Sequence, residues 1–274
     1  CALPICLEGY FSIVLLKNYN QNSIIMAGHS HFANIKHKKD KADKIKAKIF
    51  TKIAREIIVA CKSGLPDPDH NPRLKAAMAA ARAANMTNDR IKSAINQAAS
   101  AGNTDNYDPM RYEGYGIGGV AVIVEALTDN RNRTASDVRS AFNKFGGVLG
   151  ETNSVAFNFE KIGLIEYPAE KATADAMLEA VIEAGADDCE SSEAIHSIYC
   201  KPDDLISVRE ALSKKFGDAQ TAKVSWKPQN TISISGDSAV TLYKMIEMLE
   251  DFDDVQQVVT NADFDENSLN SMAS

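Results

Sequence analysis

The sequence predicts an α+β protein of several domains, with a basic three-helix region toward the N-terminus and two open α/β sandwiches behind it. Three observations lead there. Apolar residues recur at helical spacing from Ile49 to about Gly102, interrupted by proline-rich turns. From Val120 onward, short strand-like apolar runs alternate with amphipathic helical segments. Charge is also segregated between these two parts, which suggests that they meet different partners.

The three helices come first. Ile49, Phe50, Ile53, Ile57, Ile58 and Cys61 form one apolar face up to Gly64, and the polar, basic run from Met26 to Lys48 precedes them. Pro66 to Asp69 breaks this helix, and Pro72 opens an alanine-rich one to about Ala84, since proline fits the first helical position. Met86 to Asp89 caps a third helix ending before Gly102. The second part follows with a buried strand at Val120–Leu127, a helix at Thr134–Phe145 closed by Gly146 and Gly147, and a hairpin of Val155–Phe159 with Gly163–Tyr167. Helices near Ala172–Ala184 and Asp203–Phe216 alternate with strands near Ile195–Tyr199 and Ala222–Trp226, and a strand, helix and strand at Thr231–Ser235, Asp237–Phe252 and Val255–Thr260 complete the chain.

The chain has 274 residues, 45% of them hydrophobic and 24% charged, a composition that excludes general disorder and allows two or three domains. Its net charge of −7 conceals an asymmetry: residues 26–103 hold 15 Lys+Arg against 6 Asp+Glu, whereas residues 104–274 hold 14 against 30. A module of net +9 joined to a body of net −16 fits a polyanion binder whose body avoids polyanions or docks on a protein partner. The five cysteines are odd in number and include no C-x-x-C pair, so neither a disulfide framework nor a zinc knuckle is expected, and a reducing cytoplasm fits best. Residues 1–25 contain no methionine, and their apolar stretch Phe11–Leu16 is too short for a secretory signal or a membrane span. The expectation is an extension ahead of a functional protein that starts at Met26.

The strongest chemical signal is the cluster Lys36, His37, Lys38, Lys39, Lys41, Lys44, Lys46, Lys48, Lys52 and Arg55, with Asp40, Asp43 and Glu56 as the acids among them. On a helix Lys41, Lys44, Lys48, Lys52 and Arg55 fall on one face, giving a solvated row that can follow a phosphate backbone. A second candidate is the loop Asp129 to Thr134, in which Arg131, Asn132 and Arg133 could contact phosphate while Thr134 caps the following helix; the alternative is a capping loop whose arginines satisfy nearby acids. The glycines from Gly114 to Gly119 precede their strand and lack Gly-Lys-Ser/Thr, so they read as a tight turn and not a phosphate loop. His29, His31 and His37 lack a completing carboxylate or cysteine, and His70 and His196 stand alone, so no metal site is expected. No triad, paired-carboxylate or nucleophile-elbow pattern is legible, and the helices show no clear helix-turn-helix pattern.

The segments MAGHSHFANIKHKK, KAKIFTKIAREI, DPDHNPRLKAA, NMTNDRI and YEGYGIGGVAVIVEALTDNRNRTASDVRSAFNKFGG together resemble the YebC/PmpR family, collinearly from Met26 to about Asp265. Ile117 departs from the family pattern, which usually has proline there. The resemblance implies three domains, the third inserted in the second: 26–103, 104–156 with 229–274, and 157–228, after the extension 1–25. It implies a non-enzymatic DNA-binding transcriptional regulator; the alternative is a ribosome-associated RNA-binding translation factor. Neither reading implies a cofactor, a small-molecule substrate or a membrane. Carried over at matching positions are the Lys36 to Arg55 surface and Arg131 to Arg133, with DNA or ribosomal RNA as partner and the acidic domains open to a protein partner.

Overall fold

A computed structural model of the protein describes residues 39–100 and 107–265, the side chains of 39–45 excepted. The basic segment and the apolar face are one rod, α1 (Lys39–Ser63), packed on α2 (Pro72–Ala83) and α3 (Asn88–Ala99). Ile57, Ile58 and Ala60 of α1 are buried against Leu74, Ala77 and Ala81 of α2 and Ile91 and Ala94 of α3, one small core that none of the helices could form alone. The predicted limits of the second and third helices hold to within a few residues. Asn71 fastens the first corner. Its Oδ1 accepts the Leu74 backbone N–H at 3.0 Å, capping α2, while its Nδ2 donates to the carbonyls of Ala60 and Leu65 at 2.8 Å each.

The second domain is a four-stranded sheet in the order β3-β1-β2-β9, formed by β1 (Asp108–Tyr115), β2 (Ala121–Thr128), β3 (Val148–Leu149) and β9 (Val255–Thr260). Two helices, α4 (Arg131–Lys144) and α7 (Gly236–Asp251), supply Phe142, Leu242, Met245 and Leu249 to a core with Val122, Val124 and Val258 of the sheet. Strand β1 was not among the predicted elements, because its sequence DPMRYEGY carries no apolar run. Its Gly114 is required by close approach: a Cβ there would lie 2.5 Å from the Val148 carbonyl and 2.7 Å from the Phe142 ring. Buried Glu113 accepts the backbone N–H groups of Val155 and Ala156 and pairs with Arg111, tying β1 to the chain that leaves for the third domain.

That third domain lies between β3 and β8 (Ile232–Ile234) in the chain, so it is inserted in the second; β8 itself pairs in parallel with β10 (Ala262–Phe264). It runs β4 (Phe159–Pro168), α5 (Ala174–Ala184), β5 (Asp188–Ser191), β6 (Ile195–Cys200), α6 (Leu205–Phe216) and β7 (Thr221–Pro228). The antiparallel order β5-β6-β4-β7 makes it a ferredoxin-like βαββαβ unit, with Ile165, Tyr167 and Ile198 of the sheet meeting Met177, Val181, Val208 and Leu212 of the helices. The expected hairpin at 155–167 is absent: a 3-10 turn at Ala156–Asn158 leads into one ten-residue strand. Gly163 sits mid-strand, where a Cβ would meet the Cys200 sulfur at 2.7 Å.

Replacing Asn71 with alanine removes a cap and leaves two carbonyls without their donor, so a loss of about 2 kcal/mol is expected in urea unfolding. Asn71→Asp keeps the cap and should recover part of it. An unchanged midpoint for both would show that water satisfies this corner.

Candidate nucleic-acid interface

The basic row divides into an open part and a docked part. Lys36, His37 and Lys38 lie outside the described residues, and Lys39, Lys41 and Lys44 are placed on the first turns of α1 by the backbone alone. Lys46 is exposed, with its ammonium 5.7 Å from the centre of the Phe50 ring, and Arg90 of α3 approaches the same ring at 5.3 Å. Lys46, Arg90 and the equally exposed Lys92 have no carboxylate partner among the described residues. Arg90 was not legible as part of this surface, since only packing of α3 on α1 brings it beside Lys46.

Farther along α1 the row turns inward, against the expectation that Lys48 points to solvent. Its Nζ lies 2.8 Å from Asp251 Oδ1 and donates to the Asp251 carbonyl at 3.1 Å. Lys52 donates to the Glu250 carbonyl at 3.0 Å, and Arg55 donates to the Asp253 carbonyl and, at 2.8 Å, to Asp254 Oδ1. The cause is the acidic run Glu250-Asp251-Phe252-Asp253-Asp254 at the end of α7, some two hundred residues away in the chain. Burial, with Lys48 and Lys223 nearby, pushes Lys52 down to about 8 despite the carboxylate of Glu250. Lys223 of β7 is lowered by burial too, against the pull of Glu166, Glu125 and Glu250. These groups bring all three domains to one polar junction.

Asp254 is the centre of the docked part. It is buried, and its carboxylate also accepts from Arg133 at 2.7 Å, Thr134 at 2.6 Å and Thr128 at 3.1 Å. Burial opposes its charge, yet the hydrogen bonds from Arg133 and Thr134 and the charge of Arg55 hold it below the usual carboxylate range. In this structure the arginines of the loop at 129–134 satisfy nearby acids. Arg133 also pairs with Asp129, Arg131 pairs with Asp108 at 3.0 Å, and only Asn132 is exposed without a side-chain partner. Helix α4 starts earlier than predicted and is capped by Asn130, whose Oδ1 accepts from the Arg133 N–H; Thr134 lies inside the helix, its hydroxyl spent on Asp254. A cavity of about 290 Å³ opens beside this network, lined among others by Arg55, Arg133, Asp137, Asp253 and Asp254. Asp254 was legible only as part of an acidic run ahead of a strand.

The other candidates are structural. His196 is buried between Ser191 Oγ at 2.7 Å and the Ala172 carbonyl at 3.0 Å, and His70 pairs with Asp67. Cys61, Cys189 and Cys200 are free, and burial pushes the Cys200 thiol up to about 11. No cluster of metal-ligand spacing occurs among the described residues, and no described helix is long and apolar enough to cross a membrane.

This arrangement of a helical domain docked on two α+β domains has relatives. Residues 30–101 match the model of the TACO1/YebC protein N-terminal domain, and residues 107–262 match that of the TACO1/YebC second and third domain. The chain belongs to the TACO1/YebC family. A crystal structure of a conserved hypothetical protein from Aquifex aeolicus is similar to it at 44% identity and a TM-score of 0.78, covering 84% of this chain and 96% of that one. The family is of the transcriptional-regulator type.

Asp254→Ala strands two guanidinium groups and two hydroxyls, so a loss of roughly 3 kcal/mol or more is expected. Asp254 stabilises the fold fully above the unfolded carboxylate value of about 4, and that contribution is lost as pH falls through its lower folded value. A wild-type acid transition that Asp254→Ala leaves unmoved would show that the hub does not carry it. Lys52 has the opposite cost: its folded value of about 8 lies below 10.5, so its penalty is complete below pH 8 and relieved as pH rises toward 10.5. Wild type is thus expected to gain stability relative to Lys52→Met between pH 8 and about 10.5, and a constant difference would indicate a well-solvated ammonium.

Proposed function

We infer that the protein is a non-enzymatic regulator of gene expression that binds nucleic acid, with duplex DNA as its target and the N-terminal helical domain as its contact surface. The observation that carries this reading is the pair of exposed cations Lys46 and Arg90 on the Phe50 ring, which with exposed Lys92 have no carboxylate partner among the described residues, on the domain whose first helix carries the basic row. In a chain of net charge −7, cations that no described carboxylate neutralises are placed to meet phosphates. A further feature favours DNA. Helices α2 and α3 are joined by the four residues 84–87, with Asn85 left-handed at φ 57° and Met86 buried as the anchor of the turn. The following helix turns Asp89, Arg90, Lys92, Ser93 and Asn96 to solvent, side chains of the kind that read base edges from a helix.

The second reading is a ribosome-associated RNA-binding translation factor. Its support is the Lys46–Phe50–Arg90 contact, a charged aromatic edge suited to backbone and stacking contacts that need no groove code. Both readings place the protein in the cytoplasm with no cofactor or small-molecule substrate. Both also leave the acidic domains to a protein partner.

Fluorescence anisotropy on duplex DNA tests the contact surface. For roughly three to five phosphate contacts, log affinity is expected to fall with log salt at a slope near −3 to −4.5. Lys46→Glu, Arg90→Glu and Lys92→Glu together should weaken binding at least about tenfold with an unchanged circular dichroism spectrum. A flat slope, or full affinity in the triple variant, would remove the helical domain as the interface. Sedimentation of lysate through a sucrose gradient separates the targets: travel with ribosomes supports the RNA reading, and recovery with crosslinked promoter fragments supports DNA.

A further inference from the structure

We propose that the acidic turn Glu250–Asp254 is an internal competitor for nucleic acid, occupying the distal half of the phosphate-binding row and yielding its Lys48 end when a polyanion binds. This rests on the reading of α1 as a nucleic-acid surface and concerns how that surface is regulated.

The match between turn and row is position by position. Lys48, Lys52 and Arg55 stand four and three residues apart, so their side chains follow one face of α1. Opposite them the turn offers a carboxylate and a carbonyl from Asp251, a carbonyl from Glu250, a carbonyl from Asp253 and a carboxylate from Asp254. Each cation thereby meets the oxygen chemistry that a phosphate strand would present. Neither partner is an accident of local sequence, for the pairs join segments some two hundred residues apart.

The two ends of the contact differ in strength. At one end the side chains of Lys48 and Asp251 are 37% and 66% exposed, where water and salt screen the pair and its worth is small. At the other, Arg55 and Asp254 are 15% and 8% exposed, and Asp254 is held in addition by Arg133, Thr134 and Thr128. Opening that end would strand a buried carboxylate and is costly. The contact is therefore a hinge at Arg55 and a releasable clasp at Lys48, which the helix backbone places one turn after Lys44 in the same row. Phosphates that follow the row from its Lys41 and Lys44 end approach Lys48 next and must displace Asp251 to reach it. Weak polyanions stop at the open face, and strong or extended ones gain a further contact. That gives selectivity without base readout.

Asp251→Asn removes the competitor and leaves the buried hub intact. In the full chain it is expected to tighten duplex binding by about three- to five-fold at low salt, the range of an exposed ion pair. Lys48→Met should cancel that gain, so the two substitutions couple. Glu193→Gln, which removes an equal charge from an exposed position in the third domain, should leave affinity within error. Equal tightening by Asp251→Asn and Glu193→Gln would mean a general charge effect, and a gain that survives Lys48→Met would place the released cation elsewhere; either result overturns the clasp. Wild-type binding that Asp251→Asn leaves unchanged overturns this inference alone. Absence of binding by wild type and Asp251→Asn alike would bring down the nucleic-acid reading with it.

Discussion

One buried carboxylate, that of Asp254, accepts hydrogen bonds from α1 of the helical domain and from β2 and α4 of the second domain at the same time. A charge so far from water is tolerable only when it is fully paired, and the four donors here come from three segments. The position of the helical domain is thus fixed by the same group that closes the start of α4. Arg55 cannot move away without taking from the buried carboxylate one of its two guanidinium partners, and Arg133 cannot move without also releasing Asp129. The junction continues through Lys52 and Lys223 to Glu125 and Glu166, so the third domain is drawn into the same electrostatic network.

The charge segregation acquires a second meaning from this geometry. An acidic body of net −16 would repel the polyanion that a basic module attracts, and it also supplies that module with internal partners. Among the described cations of α1, Lys48, Lys52 and Arg55 spend their charge on holding the domains together, and Lys46 stays open. Counting the lysines in the sequence therefore overstates the surface offered to a phosphate backbone. The cations contributed by α3 partly restore it.

The two sheets are also held by polar contacts, not by apolar packing alone. Trp226 of β7 donates to Glu125 of β2 at 2.9 Å while Arg111 of β1 lies 5.2 Å over its ring, and Gln257 of β9 donates to Ser225 at 2.6 Å. Directional contacts of this kind fix the register of one sheet on the other, whereas the small apolar cluster of Ile123, Val259 and Phe159 beside them supplies adhesion without direction.

Much of the architecture follows from local patterns. The helix starts at Pro72 and near Asn88, the strand at Ala121–Thr128 and the closing strand, helix and strand were legible because periodicity and punctuation are properties of neighbouring residues. Strand β1 was not, since its few apolar groups gain meaning only from the helix that covers them. The same division holds for the candidate site. The presence of a basic row on one helix face, and its family resemblance, are determined by the sequence alone. Which cations stay open and which are taken is decided by the tertiary structure, because an ion pair between Lys48 and Asp251 or Arg55 and Asp254 depends on a separation in space that residues two hundred positions apart do not encode locally.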